Sequence, residues 1–500
     1  MKRISLLTLS FCCLGCALCH AATPSADNSS VLNASEVKVP ECISSIPKEL
    51  LPENKDVAMD SIIPAFNKAL RSAENPHLSP ESPEYKVVSI ASSEFGQLER
   101  LLTENDADAA TELIVSGPID KSDFKELWNC ASKGNLRVID LGSAKIKDNT
   151  VPDGALYDPI QLEEGLWLRI TKIVLPDDVV RIGQSAFPCM GLEEINIPSS
   201  LKEIGPSAFA YDYWLNCPIE LPEGMEEIKN HTFYMCRRLG FSPVLPSSMR
   251  KIGPNAFSYS SIQNIEFNDG LKAIGVAAFY GCGLKEVRIP DSVVEIDMLA
   301  FTYNVGLESI SLPKATEVIP VDAFRACYEL STVTLPENVK VIESGAFCDC
   351  LALKELAFPE TLEIIEDNAF QGCAMDTVVL PSNVRYLGSE CFSLGNLHAF
   401  YCKSQTPPEC ELEPLGPFSG SLISEAILYV PKGCKENYQD MWEWNKFKEI
   451  IETDEFPLSA TPIVVPENPA DDLIFDLSGR KIANPLPNQI YIKNGKKILI

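Results

Sequence analysis

The sequence lacks the features that mark a membrane-spanning protein or a nucleic-acid-binding protein. Beyond the first 21 residues, no apolar run approaches the length of roughly twenty residues that a membrane-spanning helix needs. The chain has 42 Lys and Arg against 70 Asp and Glu, which gives a formal net charge of −28. This balance provides no basic footprint for nucleic acid and disfavours adsorption to anionic lipid. We therefore expect neither a transmembrane segment nor a nucleic-acid partner.

Residues and motifs for catalysis are also scarce. The chain has four histidines, and three of them, His77, His231 and His398, lie far apart beyond the N-terminal segment. His231 lies inside a repeated unit beside Thr232 and is interpreted as a structural residue. No G-x-S-x-G elbow, Walker-type glycine loop, H-E-x-x-H motif or Asp-rich calcium loop occurs. The sequence therefore predicts no catalytic, metal or cofactor site, and no enzyme.

One short unit is repeated ten times between residues 173 and 397. Its anchor is a phenylalanine that recurs every 22 to 24 residues, at Phe187, Phe209, Phe233, Phe257, Phe279, Phe301, Phe324, Phe347, Phe370 and Phe392. Eleven residues before each lies a second series, Pro176, Pro198, Pro222, Pro246, Asn268, Pro290, Pro313, Pro336, Pro359 and Pro381. The offset is fixed while the period varies, so the length variation falls in a connecting loop. A period in the twenties is typical of leucine-rich repeats.

Each unit predicts a short strand followed by a buried coil. Apolar and polar residues alternate before the proline, as in Ile195-Asn196-Ile197, which predicts a strand with one buried face. The proline ends that strand because it has no N–H to donate. An apolar series lies six residues after the proline, at Ile182, Ile204, Ile228, Ile252, Ile274, Ile296, Ile319, Ile342, Ile365 and Leu387. Ala-Phe follows in most units, with Thr232 and Cys391 in place of the alanine.

No single unit can bury these residues alone, so the units must stack. The predicted fold class is an α/β-type repeat solenoid, mostly strand and turn. It consists of a leucine-rich repeat array of about ten coils with N- and C-terminal caps and a small C-terminal β-module.

The repeat pattern resembles a known family. The consensus I-x-[IL]-P-x-x-[LV]-x-x-I-[GE]-x-x-A-F-x-x-C, seen in residues 194–209 and 286–301, resembles the BspA-like class of bacterial leucine-rich repeats. Members of that class are cell-surface or secreted proteins, and some are adhesins for host proteins. The resemblance therefore implies a surface or secreted binding protein.

The 18 cysteines do not predict a disulfide framework. Five occupy one position, three residues after the repeated phenylalanine, at Cys236, Cys282, Cys327, Cys350 and Cys373. We interpret these as buried thiols that pack as small apolar groups. Cys402 and Cys410 lie outside this series and are the candidate disulfide. Cys348 and Cys350 lack the spacing of a zinc site, and no histidine lies nearby.

The N-terminal region divides into three predicted segments. Lys2 and Arg3 precede an apolar run, so residues 1–21 are a predicted signal peptide cleaved after Ala21. A lipoprotein signal is the alternative, because Cys13-Leu14-Gly15-Cys16 resembles a lipobox. Residues 22–84 are predicted to be partly flexible, with a short helix over 56–71. Residues 85–170 are the predicted N-terminal cap and first degenerate repeats, with strand, turn and helix over 112–127, a strand over 136–146, and Ala155-Leu156-Tyr157 as a decayed Ala-Phe.

Four segments are predicted after the cap. Residues 171–400 form the repeats, 401–452 the C-terminal cap, 453–470 a proline-containing linker and 471–500 a β-module. In the cap, Trp442, Trp444 and Phe447 are interpreted as covering the last coil, with a ligand platform as the alternative.

The β-module is predicted to have strands at 473–477, 489–493 and 497–500, with a hairpin turn at Asn494-Gly495. It resembles the C-terminal sorting domains of secreted Bacteroidota proteins in its DLSGRK and NGKK elements. That resemblance implies export through the outer membrane or anchoring at the cell surface. A stabilising module without a sorting role is the alternative.

The predicted binding surface is the solvent-facing side of the strands, at positions two and four residues before each proline. The candidate residues are Asn196, Glu220, Glu266, Glu286, Arg288, Ser311, Thr334 and Glu355, of which Glu266, Glu286 and Arg288 are the first choices. These positions, followed to Val379, contain neither a basic stripe nor an aromatic row. Protein, with host extracellular matrix as one possibility, or glycan therefore fits better as a partner than nucleic acid. The predicted function is adhesion or protein binding at the cell surface or after secretion; the alternative is a structural spacer without a specific ligand.

Overall fold

A computed structural model describes residues 80–158, 168–240, 243–411 and 415–457, and the backbone of four short strands between 474 and 499. The predicted signal peptide, the helix over 56–71 and most of the linker lie outside the described residues. The contacts divide the chain into two units, and the larger one, residues 81–158 and 167–500, contains every element below.

Short strands dominate the described residues. In chain order they are β1 Val87–Ala91, β2 Glu112–Ile119, β3 Val138–Ile146, β4 Thr150–Val151, β5 Lys172–Val174, β6 Arg181–Ile182, β7 Glu194–Ile195, β8 Glu203–Ile204, β9 Glu227–Ile228, β10 Lys251–Ile252, β11 Ala273–Ile274, β12 Glu286–Arg288, β13 Glu295–Ile296, β14 Ser309–Ser311, β15 Val318–Ile319, β16 Thr332–Thr334, β17 Val341–Ile342, β18 Ile364–Ile365, β19 Thr377–Leu380, β20 Tyr386–Leu387, β21 Ala399–Cys402, β22 Glu409–Cys410, β23 Ile427–Pro431, β24 Glu449–Thr453, β25 Ile474–Phe475, β26 Lys481–Ile482, β27 Ile490–Lys493 and β28 Lys496–Leu499. The α-helices are α1 Leu98–Glu104, α2 Lys121–Ala131 and α3 Lys435–Gln439, and short 3-10 turns lie at Ala107–Ala109, Lys147–Asn149, Ile423–Glu425 and Trp444–Lys446.

The strands before the prolines form one series of parallel pairs, which we call the first sheet. Its orders are β1-β2-β3-β5-β7, β12-β14-β16 and β19-β21-β23-β24. Parallel bridges join Glu220 to Val244 and Val244 to Glu266 between the first two groups. The structure is therefore a parallel β-solenoid with little helix, as predicted. It has about 15 coils rather than about ten, because β1–β3 and the strands after β19 extend the same sheet beyond the regular repeats.

A second parallel sheet runs beside the first. It pairs the two-residue strands at the Ile series in the orders β4-β6-β8, β9-β10-β11-β13 and β15-β17-β18-β20-β22. These strands could not be predicted from the sequence, because two residues are too few to show an alternation.

The segment before the regular repeats follows its predicted pattern. Residues 112–127 form β2 and α2, and residues 136–146 contain β3. A capping box begins α2: the Asp120 carboxylate accepts the Ser122 N–H at 2.9 Å, and Asp123 accepts the Asp120 N–H at 2.9 Å. The predicted decayed Ala-Phe is also confirmed, because buried Leu156 donates its N–H to the Ala186 carbonyl as a repeat phenylalanine does.

The phenylalanines form a continuous column inside the solenoid. All ten are buried, and consecutive ring centroids lie 5.4–6.1 Å apart. Each also donates its N–H to the carbonyl of the residue before the next phenylalanine, as from Phe301 to Ala323 at 3.0 Å. The small residue before each ring therefore lies where two turns approach each other.

Two left-handed residues flank the phenylalanine in almost every coil. Positive φ occurs two residues before it in all ten coils and two residues after it in nine, as at Leu299 and Tyr303 around Phe301. Most of these residues are not glycine, although the left-handed region costs roughly 1–2 kcal/mol for other residues. The stacking of neighbouring coils therefore fixes the turn against the preference of its own residues.

The position three residues after the phenylalanine supplies a hydrogen-bond donor to the core. All five cysteines there are buried, and each Sγ donates to the phenylalanine carbonyl of the preceding coil at 3.0–3.4 Å. Burial raises the pKa of Cys282 and of Cys327 to about 12, so these thiols stay protonated and able to donate. Their predicted role as small core residues is confirmed.

The predicted disulfide between Cys402 and Cys410 is wrong. Each of the cysteines within the described ranges is a free thiol. Cys402 lies on β21 and pairs with Leu380 in the first sheet, whereas Cys410 lies on β22 and pairs with Leu387 in the second. The two cysteines belong to different sheets, so lying outside the repeated cysteine position did not make them a pair.

Asn304 and Asp212 replace the cysteine at this position with opposite consequences. The Asn304 amide donates to the carbonyls of Phe279 and Phe301, both at 2.8 Å. Asp212 is fully buried, and only one carboxylate oxygen has a partner, the Met190 N–H at 2.9 Å. Burial raises the pKa of Asp212 well above 3.8. An ionised carboxylate there, unlike the Asn304 amide, has no N–H or O–H to donate.

The C-terminal strands form a separate antiparallel sheet in the order β26-β25-β27-β28. The three predicted strands are confirmed as β25, β27 and β28, and β26 is an additional one. β27 and β28 pair next to the predicted Asn494-Gly495 turn, with Lys493 opposite Lys496.

The buried column predicts a large loss of stability for Phe301→Ala. Removing a ring stacked between Phe279 and Phe324 leaves a cavity that costs about 3–5 kcal/mol of unfolding free energy. Chemical denaturation measures this difference. Phe95→Ala is the control, because that ring is 48% exposed, and it should cost less than about 1 kcal/mol. A Phe301→Ala loss as small as that of the control would show that the ring is not part of the core.

Asp212→Asn should stabilise the protein, and the gain should grow with pH. The new amide can donate to two carbonyls as Asn304 does, and an unpartnered buried polar atom costs about 1–3 kcal/mol. The folded-state pKa of Asp212 is raised, so the folded protein retains a proton that the unfolded chain has lost. The wild-type protein therefore loses stability from this group as pH rises above 3.8, by at most about 1.4 kcal/mol per pH unit. Urea denaturation of both proteins between pH 4 and about 7 measures the difference, and a constant difference would contradict this explanation.

Candidate functional site

The solvent-facing side of the first sheet, which we call the outer face, carries the predicted binding residues. Glu220, Glu266, Glu286, Arg288, Ser311, Thr334 and Glu355 are exposed, and Asn196 is half-buried. The alternate side chains, such as Val287 and Ile310, point inwards and are buried. Period-2 alternation therefore separates the surface from the core along these strands.

The structure brings three of the candidates together in one row. β12, β14 and β16 pair in register, which places Arg288 opposite Ser311 and Ser311 opposite Thr334. Glu286 begins a parallel row that continues through Ser309 and Thr332. Neighbouring strands lie about 4.8 Å apart, so this part of the outer face presents one acid and one base beside four hydroxyl groups.

The other candidates are more dispersed. Val244, which is 62% exposed, separates Glu220 from Glu266 along the bridges. Glu355 lies outside the strands. The Asn196 carboxamide accepts the Leu175 N–H at 2.6 Å and donates to the Leu175 carbonyl at 2.9 Å. That side chain already links two coils, so its polar atoms serve the scaffold.

An aromatic pair at the C-terminal end of the outer face was not predicted from the sequence. The register of β19, β21, β23 and β24 places Val379, Tyr401, Tyr429 and Ile451 in one row. The two tyrosine rings stack 4.3 Å apart at 8°, and Phe456 packs edge-on against Tyr401 at 6.4 Å. All are half-buried. Counting the outward positions beyond Val379 would have found both tyrosines.

The aromatic residues after β23 lie mainly in the core. Trp444 and Phe447 are buried and pack against Phe400 and Phe418. The Trp444 indole donates to the Pro408 carbonyl at 3.2 Å. Trp442 differs, since it is 62% exposed and lies beneath the Lys446 ammonium.

The described residues contain no cluster of three or more His, Cys, Asp or Glu side chains that could hold a metal ion. Burial lowers the pKa of His231 to about 4, and its ring packs edge-on against Tyr234 at 5.3 Å. The imidazole is therefore neutral near pH 7 and part of the packing, as the sequence analysis expected. Within the same part of the chain, no helix combines the length and the apolar character needed to cross a membrane.

Stacked coils with two parallel sheets and a phenylalanine column define a leucine-rich repeat solenoid. The family described as "BspA type Leucine rich repeat region" matches residues 167–241, 241–351 and 317–407, in six copies. The repeats of this chain are therefore of the BspA type. No curated protein matches the sequence.

Several solved structures are similar to this chain. A leucine-rich repeat protein from Bacteroides ovatus is 25% identical, with a TM-score of 0.43, over 58% of this chain and 71% of its own. The pneumococcal vaccine antigen PcpA is 19% identical, with a TM-score of 0.41, over 69% and 84%. A leucine rich cell surface protein from Faecalibacterium prausnitzii is 22% identical, with a TM-score of 0.36, over 64% and 86%. These TM-scores are below 0.5, so no ligand or partner of this chain follows from them.

Proposed function

We propose that this protein is a secreted or cell-surface adhesion module that binds a protein partner through the outer face. The observation that carries the proposal is the register of outward side chains in two groups of parallel strands. One group presents exposed Glu286 and Arg288, and the other presents half-buried Tyr401 and Tyr429. Repeat solenoids commonly bind along such extended surfaces. No convergent catalytic set accompanies this surface among the described residues.

The chemistry of the outer face favours protein over glycan. Arginine and tyrosine are enriched among the residues that dominate protein interfaces, and the outer face offers Arg288 at one point and the tyrosine pair at another. Burial and the neighbouring Tyr429 raise the pKa of Tyr401, so its hydroxyl stays neutral and the stacked pair offers aromatic surface beside it. The polar row between them supplies a rim of hydroxyl groups.

The proposed location rests on the ends of the chain and on the type of repeat. The first 21 residues have the composition of a signal peptide, and the last thirty resemble a sorting domain. BspA-like repeats occur in surface and secreted proteins, some of which bind host proteins. Host extracellular matrix is therefore the first class of partner to test.

The test is a binding screen of the full chain against immobilised purified extracellular-matrix proteins. For any protein that binds, we expect Glu286→Ala/Arg288→Ala and Tyr401→Ser/Tyr429→Ser each to weaken binding by about tenfold or more, the effect of losing an interface anchor. Exposed substitutions of the Glu286 and Arg288 kind usually change stability by less than about 0.5 kcal/mol, which thermal unfolding checks.

The matched control is Glu317→Ala/Lys340→Ala. It also removes one acid and one base, but from an exposed ion pair beside the second sheet. Equal losses in the control and the outer-face variants would place the binding site elsewhere. A glycan array tests the alternative class of partner. Binding to glycans but to no protein would show that the partner is a glycan. If the protein binds neither matrix proteins nor glycans, the result would favour a structural spacer without a specific ligand.

A further inference from the structure

The two longest repeats carry an unusual pair of turns. The phenylalanine spacing is 24 residues from Phe209 to Phe233 and again from Phe233 to Phe257, against 22 or 23 elsewhere. The extra residues fall after the phenylalanine. The next residue of the proline series lies 13 positions after Phe209 and 13 positions after Phe233, whereas this interval is 11 or 12 positions in the other repeats. Insertions in repeat proteins map to loops on one side, which is often a binding side.

These enlarged turns place two arginines on two aromatic rings of the preceding coil. The Arg238 guanidinium carbon lies 3.8 Å from the centroid of the Trp214 ring, and the Arg237 carbon lies 5.3 Å from that of Tyr213. The consecutive residues 213 and 214 therefore meet the consecutive residues 237 and 238 in register. Such cation–π contacts hold the charged group in a defined orientation.

The two arginines differ in their remaining contacts. Arg237 is half-buried, and its Nη2 contacts the Met235 sulfur at 3.6 Å. Arg238 is exposed. Within the described ranges, neither guanidinium forms an ion pair with a carboxylate, although the chain has 70 Asp and Glu. A stacked guanidinium still presents its N–H groups at the edge, in the geometry that binds a carboxylate with two hydrogen bonds.

A row of tyrosines continues from the same turn. The distances between consecutive ring centroids in this row are 5.2, 6.2, 5.2 and 5.4 Å, for Tyr211, Tyr234, Tyr259, Tyr280 and Tyr303 in that order. The first two are buried, and the last three are half-buried. The arginine pair therefore lies at one end of an aromatic strip that crosses five coils.

We propose that Arg237 and Arg238, held on Tyr213 and Trp214, form a second binding site that takes an acidic peptide segment of a partner protein. Tyrosine, tryptophan and arginine are the residues most enriched at protein interface hot spots, and all three meet here. The arginines cover the Tyr213 and Trp214 rings, which disfavours stacking of a sugar on those rings. The net charge of −28 disfavours an acidic ligand in general, so its binding depends on local cations held in place, as this arginine pair is.

The test uses fluorescence anisotropy of the full chain with three labelled probes. These are an alternating Glu-Ala peptide, the matching Gln-Ala peptide and a heparin oligosaccharide. We expect the Glu-Ala peptide to bind at least about tenfold more tightly than the Gln-Ala peptide, and Arg237→Ala/Arg238→Ala to remove about tenfold or more of that affinity. Arg238→Lys retains the positive charge but loses the planar guanidinium that binds a carboxylate with two hydrogen bonds, so it should also weaken binding of the Glu-Ala peptide. This single variant tests the site even if the double variant unfolds.

The matched control is Lys314→Gln/Lys340→Gln. It removes the same charge from two exposed lysines that pair with Asp291 and Glu317. We expect the control to bind the Glu-Ala peptide within about twofold of wild type, because only long-range attraction is lost. Equal losses in both double variants, or no binding of the Glu-Ala peptide to wild type, would overturn the proposal. Arginine-dependent binding of heparin alone would also overturn it and would assign the site to an acidic glycan.

Discussion

The contact between one coil and the next is the interaction on which this structure depends. Each repeat phenylalanine stacks on its neighbours and donates its N–H to the following turn, while two short strands pair in parallel on either side. A coil without neighbours would have neither a core nor partners for these N–H groups. The stability of the array is therefore a sum over neighbouring pairs, and buried Trp444 belongs to the core at its C-terminal end.

This arrangement separates the constant part of the repeat from the variable part. From proline to phenylalanine, every residue has a fixed place, because strand pairing and ring stacking constrain both ends. After the phenylalanine, the chain returns to the first sheet through a turn whose length can change without breaking either contact. Asp212, Tyr213 and Trp214 lie in such a turn, where a residue is constrained less by the repeat than by its own neighbours.

The sequence predicted the parts of the fold that follow from periodicity. The phenylalanine column, the apolar series and the cysteine position all repeat, so their burial could be inferred without a structure. The second sheet could not, because its strands are two residues long. The disulfide prediction failed because it rested on Cys402 and Cys410 lying outside the repeated cysteine position, and that shared property does not bring together two strands that belong to different sheets. Tyr401 and Tyr429 were missed because the outward positions were followed only as far as the regular repeats.

The binding surfaces follow from the same division, with one difference. On the outer face, the type of residue can vary freely from coil to coil. The side chains of Arg288 and Thr334 point away from the core, while their backbone stays in register with the neighbouring strands. In the enlarged turns, the aromatic rings are partly buried, so Tyr213 both packs against the solenoid and supports Arg237. A change at Arg288 or Thr334 should therefore alter binding alone, whereas a change at the turn rings alters packing as well. The exposed arginine is the residue through which the turn can be varied without disturbing the coil beneath it.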